Sequence, residues 1–401
     1  MTKSTSASSS SSARIRTIYH ALKSPDRLKA LADCDKNLLS YDPSSFLLIF
    51  RVRGRHFGLI APPLFALLLW DIGWALYLVT FQDPLAMSPT IQGMNDLISP
   101  LLTPVSFLLV FRLGRAAVRF WDSRSAIGKI VEICRTLAST ALVGCRPHPR
   151  YDPSMASTIR LKQHQLHLAE NFIRWIAVFP MAAKNFLRPF EGLQCCRSRE
   201  VGEVLSAKDK AEFLGTGGDQ FAPILVLNRL RQLVYEVSSS YPQEKAALGA
   251  ALFRQLNENL DTLTGAWGAM ERINGTPLPF VYVVHLRTFM LLYLFLWHVQ
   301  AIASSGWIAL LPLLLTSWGL LGVEAAAVEC ERPFQWQGNH LALGRACIVV
   351  SNNLAQTMAN MPWMKHATDT IEDTHEETAH GRVTITHLVV PHSEQDLEVT
   401  M

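Results

Sequence analysis

Thr103, Phe107, Val110, Phe111 and Gly114 recur at intervals of three and four within the stretch Pro100-Leu-Leu-Thr-Pro-Val-Ser-Phe-Leu-Leu-Val-Phe-Arg-Leu-Gly-Arg-Ala-Ala-Val-Arg-Phe-Trp121. A helix entered at Pro104 carries them as one stripe, because residues at that spacing share a face. Arg112, Arg115 and Arg119 overlap its end and continue beyond it. A helix that begins in hydrocarbon and ends in a basic, aqueous turn is a membrane helix with its C-terminal end on the cytoplasmic side. Phenyl rings at helical spacing serve either as packing or as the wall of a passage, and the pattern alone admits both. The arginines likewise read as cytoplasmic anchors or as positive potential beneath the stripe.

Other residues invite chemistry with less support. Asp71 lies near the middle of an apolar run, where a carboxylate is costly unless it is neutral, paired or facing a wet cavity. It reads as a proton or ion site, or as an acid hydrogen-bonded to a neighbouring helix; the second is preferred, since no intramembrane Lys or Arg stands by as a relay partner. His298, among Leu, Tyr and Phe, reads as a hydrogen-bonded packing residue. Gly215-Thr-Gly-Gly218 lacks the following Lys-Ser/Thr of a phosphate-binding loop, so nucleotide binding is unsupported. His375 and His380 are five apart instead of four and do not share a helix face, which excludes the zinc-protease pattern. The sequon at Asn274 falls on the cytosolic side, away from the glycosylating enzyme. Seven scattered cysteines without metal-ligand spacing read as reduced thiols.

The elements that must position these residues follow from composition. Of 401 residues, 49% are apolar and 17% charged, against about 25% charged in an ordinary soluble protein. The net charge of +4 suggests no nucleic-acid partner. Apolar residues concentrate in 57–81, 97–111 and 278–328, and the last block divides at Ala303-Ser-Ser-Gly306. About 20 residues cross a bilayer, so four spans fit, the second short and broken by Pro100 and Pro104. The segment from Gln82 to Asp96 holds two acids and no Lys or Arg, while Arg51, Arg53 and Arg55 precede the first span, which places both termini in the cytosol. The reading is therefore a Ser-rich disordered start over 1–13, cytosolic N-terminal helices over 14–56 with a break at Pro25, and spans over 57–81, 97–114, 277–302 and 306–328. A cytosolic helical domain covers 115–275, a cytosolic C-terminal segment 329–366 and an acidic disordered tail 367–401. Residues 193–218 read as a loop-rich excursion within that domain.

The run Thr103-Pro-Val-Ser-Phe-Leu-Leu-Val-Phe-Arg, with Arg119-Phe-Trp121 after it, resembles the second membrane helix of the bestrophin family, including its bacterial and fungal members. Thr276-Pro-Leu-Pro-Phe-Val-Tyr282 with His285-Leu-Arg287 resembles the start of the family's third span, and Gly322-Val-Glu324 with Val328-Glu-Cys-Glu-Arg-Pro-Phe334 the end of its fourth. The resemblance covers roughly residues 45 to 355. It marks Pro104, Trp121, Pro279, Glu324, Glu329, Pro333 and Phe334 as structural motif residues.

What the resemblance implies is an all-α membrane protein with four transmembrane helices per subunit and a large cytosolic helical domain, assembled as a pentameric anion channel. Its neck positions fall on Thr103, Phe107 and Phe111. An apolar constriction closes by dewetting, and ring edges, which carry partial positive charge, meet a partly dehydrated anion. The implied partners are inorganic anions such as chloride, membrane lipid and further copies of the chain, with no enzymatic activity. Animal members bind calcium through an acidic run after the fourth span; here that place holds Gln335-Trp-Gln-Gly-Asn-His340, without a carboxylate, so neither calcium nor another cofactor is expected. Glu324, Glu329 and Glu331 are instead expected to pair with arginines or cap helices. A proton-coupled anion transporter using Asp71 and a non-conducting membrane scaffold are the alternatives.

Overall fold

A computed structural model describes residues 15–39, 57–81, 93–145, 163–188, 194–215, 222–241, 243–336 and 338–361. The Ser-rich start, the arginines at 51, 53 and 55, most of the 82–96 connection, His375, His380 and the acidic tail lie outside the described residues.

All regular structure among the described residues is helical. Helix α1 spans 15–23 and α2 Pro25–Asp33, with Pro25 at the first turn of α2, where its missing amide costs nothing. The rest are α3 Phe57–Phe81, α4 93–98, α5 Leu102–Gly144, α6 Gln163–Leu187, α7 Gln194–Val201, α8 Ala207–Gly215, α9 Ala222–Ser239, α10 Ala246–Gly275, α11 Phe280–Ser305, α12 Leu310–Glu331 and α13 Leu343–Asn360.

The helices form two packed regions joined by α5. In the larger body, α1, α2, the second half of α5, α6, α9, α10 and α13 enclose one core around Leu137, Phe172, Ile176, Phe179, Leu230 and Leu354. The amphipathic N-terminal helices belong to it through Ile18, Leu22 and Leu31. Helix α13 approaches α2 so closely that a Cβ at Gly344 would run into the Leu31 carbonyl oxygen. In the second region, α3, the first half of α5, α11 and α12 pack through Leu67, Val105, Leu109, Met290, Leu294 and Leu321. The outward side of this bundle shows Phe65, Leu69, Leu76, Leu292, Ile308, Leu311 and Leu315 to the surroundings. Apolar exposure on this scale belongs to a surface solvated by lipid. Three helical stretches, Phe57–Leu78, Gly93–Gly144 and Phe280–Glu331, are long and apolar enough to cross a membrane.

The third stretch turns back on itself. Arg287 meets Glu324 and His298 meets Ser317, so α11 and α12 lie side by side and antiparallel. The reversal sits at Gly306, with φ 57° and ψ −140°, a conformation that a Cβ would obstruct.

Two features go beyond the pattern read from the sequence. Helix α5 runs unbroken for 43 residues across the 114–115 boundary, about 65 Å at 1.5 Å per residue. No proline interrupts it after Pro104, and Ala126, Ile130, Cys134, Leu137 and Ala141 continue its buried face into the larger body. The excursion over 193–218 contains two short helices, α7 and α8, held by burial of Val201, Val204, Leu205 and Phe213. Their weak local pattern hides an order that tertiary packing supplies.

Candidate pore-lining face

Along the first half of α5, Val105, Leu109, Arg112 and Ala116 are buried while Thr103, Phe107, Val110, Phe111 and Gly114 are exposed. The stripe expected from spacing is thus a single face, and it is free of contacts that would bury it within the chain. Phe107 is 67% and Val110 71% exposed, as open as the outward-facing apolar side chains of the bundle. The Phe107 and Phe111 rings stack with centroids 6.0 Å apart, and the Arg115 guanidinium sits 5.2 Å above the Phe111 ring. A cation over one face of the ring leaves its edge, where partial positive charge resides, available to an anion. Val118, Trp121, Asp122 and Ser125 continue the exposed row toward the larger body.

The three arginines separate by position. Arg112 points away from the stripe and is fully buried: its Nε donates to Glu324 at 3.3 Å and its Nη2 to Glu331 at 2.7 Å. Its charge is balanced within the chain by these two carboxylates. Arg287 Nε donates to the other Glu324 oxygen at 2.8 Å, and the Leu278 amide donates to Glu331 at 2.8 Å. The two carboxylates therefore tie α5, α11 and α12 together. Arg119 donates to the carbonyl oxygens of Ile273 and Thr276 at 2.7 and 2.8 Å, satisfying acceptors at the end of α10. Only Arg115 of the three stands on the exposed stripe.

The remaining motif residues lie mostly at junctions. Pro104 sits in the first turn of α5 and Pro279 just before α11, both places where a missing amide is tolerated. The Pro333 carbonyl accepts from Leu341 at 2.8 Å, and the buried Phe334 from Arg188 at 2.6 Å. Glu329 lies 3.7 Å from His340. Trp121 is exposed and makes an edge contact with Phe120. Beside Arg119, a cavity of about 700 Å³ opens between α5 and α10, lined by Asp122, Ser125, Lys129, Thr262 and Arg272. Among the described residues no three His, Cys, Asp or Glu side chains gather as a metal site.

Asp71 and His298, separate in the sequence reading, are partners. Asp71 Oδ1 lies 2.7 Å from His298 Nδ1, and His298 Nε2 lies 2.8 Å from Ser317 Oγ, with all three residues at 2% exposure or less. Ser317 was not foreseen; a lone serine in an apolar helix carries no signal of a partner on another helix.

The fold and its surface define an all-helical membrane protein with a long helix that joins a lipid-exposed bundle to a helical body. The family model described as bacterial/fungal bestrophin protein matches residues 38–356, and the chain belongs to that family. A voltage-dependent anion channel-forming protein of Nostoc sp. is 27% identical over 311 residues, 77% of this chain and 90% of that protein. One of the same description from Synechocystis sp. is 28% identical over 262 residues, 65% of this chain and 76% of the relative. A crystal structure of a bacterial bestrophin homologue from Klebsiella pneumoniae superposes with a TM-score of 0.55 at 19% identity, covering 76% of this chain and 100% of that one.

Proposed function

We propose that this chain is a subunit of an anion channel, and that the exposed stripe of α5, with Thr103, Phe107 and Phe111, lines its hydrophobic neck. The observation that carries the reading is the stripe itself: large apolar side chains left uncovered on a helix whose opposite face is locked by a buried ion-pair network. Symmetric assembly turns such a face toward an axis shared by identical copies. A homopentamer with four spans per subunit and both termini in the cytosol accords with the antiparallel α11–α12 hairpin. The anion-channel names of the relatives support the choice of ion.

In this reading an anion entering the neck sheds part of its water, meets ring edges from each subunit, and then enters the field of a ring of Arg115 side chains. Thr103 makes the outer ring more polar than a purely aliphatic one and eases its wetting. Calcium has no part, because Glu324 and Glu331 are engaged by arginines and the following segment carries no carboxylate among 335–340. The test is reconstitution of the purified chain into planar bilayers under a chloride gradient. Unitary currents that reverse at the chloride potential, unaltered by a calcium chelator, are expected. Proton-coupled flux without unitary events would replace the channel with a transporter, and silence would replace it with a scaffold.

A further inference from the structure

Helices α5 and α10 run side by side and antiparallel. Arg119, near the middle of α5, donates to carbonyls at the C-terminal end of α10, while a Cβ at Gly144, the last residue of α5, would strike Leu252 near the start of α10. Between these two contacts lies the cavity of about 700 Å³. Its volume falls within the range of small-molecule sites, about 300–1,000 Å³.

One face of each helix supplies the wall. Arg119, Asp122, Ser125 and Lys129 come from α5 at intervals of three and four, and Thr262 and Arg272 stand ten residues apart on α10. Ten residues make about 15 Å of helix, so the antiparallel pairing sets Arg119 and Arg272 at one end of the groove and Lys129 at the other. Gly265, Ala266 and Ala269 keep the middle free of bulk. Three cations therefore face one acid, with two hydroxyls beside them.

These cations are weakly satisfied by the chain itself. Among the described residues, neither Asp122 nor Arg272 is held in an ion pair, and the neighbouring acids of α10 are engaged elsewhere, Asp261 by Arg231 and Glu258 by Arg254. Lys129 reaches Glu132 at 2.8 Å, an exposed pair on its own helix that solvent screens. Arg119 holds two carbonyls through Nη2, yet its Nε is shut off from water and has no partner among the described residues, which leaves the guanidinium short of an acceptor.

The layout selects the ligand. A single small anion cannot meet cations at both ends of the groove, whereas an extended anion with several charges can. Guanidinium forks match the oxygens of an oxyanion two at a time, the ammonium binds them as a point charge, and the Ser125 and Thr262 hydroxyls can donate to them. Lys129 adjoins Ile130 and Ile133 of the larger core, so the groove runs away from the lipid-exposed bundle and suits a soluble anion better than a lipid headgroup.

We propose that the α5–α10 cavity binds a soluble polyvalent oxyanion of the polyphosphate type, held by Arg119 and Arg272 at one end and by Lys129 at the other. The site is built within one chain and does not depend on whether that chain conducts.

The experiment is calorimetric titration of inorganic tripolyphosphate into the detergent-solubilised full chain at about 0.15 M salt, where charges more than about 8 Å apart are largely screened. Saturable binding is expected, and its absence would overturn the site. Arg272→Gln and Lys129→Gln, both at exposed positions, are each expected to weaken binding about tenfold, and Asp122→Asn to tighten it. Arg254→Gln removes the same charge from α10 outside the cavity and is expected to leave the affinity unchanged. Equal weakening by all three charge removals would overturn the site, as would unchanged binding in Arg272→Gln and Lys129→Gln. Phosphatidylserine added to the micelles separates the two sources of phosphate. Undiminished tripolyphosphate binding supports a soluble ligand, and displacement by the lipid would overturn that choice. Because no current is read, a failure of the channel assignment leaves these outcomes intact.

Discussion

Arg112 and Arg115 are three positions apart on one helix, yet the first is enclosed by two carboxylates and the second stands exposed over Phe111. Arg112→Ala leaves Glu324 and Glu331 buried without their shared cation, a change worth about 3–5 kcal/mol of stability. Arg115→Ala removes no buried partner and should alter stability by less than about 0.5 kcal/mol while lowering anion current. Chemical denaturation of both variants beside conductance checks the division; equal destabilisation would contradict it. Sequence alone leaves the two arginines equivalent, because the partners of Arg112 lie 212 and 219 residues away. The same distance effect hides the cluster of Lys184, Glu200 and Cys34, in which Lys184 Nζ and Cys34 Sγ both donate to one Glu200 oxygen, at 2.6 and 2.9 Å. Burial pushes the Cys34 thiol up to about 12, against the opposing pull of Lys184, and does the same to Cys347. The ordinary value is 9.0, so stability is independent of these thiols below about pH 9 and falls as pH rises from there toward 12. Unfolding curves of Cys347→Ala should show a smaller alkaline loss than the wild type.

At the scale of elements, the hydrophobic runs and the 3.6-residue period locate α3, α5, α11 and α12, because lipid-facing helices announce themselves by composition. The stripe on α5 is legible for the same reason: a helix face follows from spacing alone. The unbroken reach of α5 was not, since Arg112 to Arg119 reads as the end of a span, whereas the helix passes through that basic zone into the larger body. The same helix thus carries both the exposed stripe and part of the core around Leu137 and Phe172. The α11–α12 hairpin depends instead on one backbone conformation at Gly306. Gly306→Ala should destabilise the chain by about 1–2 kcal/mol, measured as a lower unfolding midpoint, although nothing lies within 4 Å of where the new Cβ would be. A neutral substitution would mean the turn relaxes freely.

For the molecule as a whole, the outer side of the bundle and the α5 stripe are both exposed among the described residues. The outer side of the bundle suits hydrocarbon, while the α5 stripe combines a hydroxyl, two phenyl rings and a guanidinium, a set that lipid tails would not favour beside Arg115. In the proposed channel, enclosure of that stripe around a common axis would resolve the mismatch and make the wall of a passage. Modification of a cysteine placed at Phe111 tests this most directly. In planar bilayers, chloride current through Phe111→Cys channels should collapse on adding a bulky, negatively charged thiol reagent, while wild-type current persists. Full modification of Phe111→Cys with undiminished current would contradict the assignment of this face to the pore.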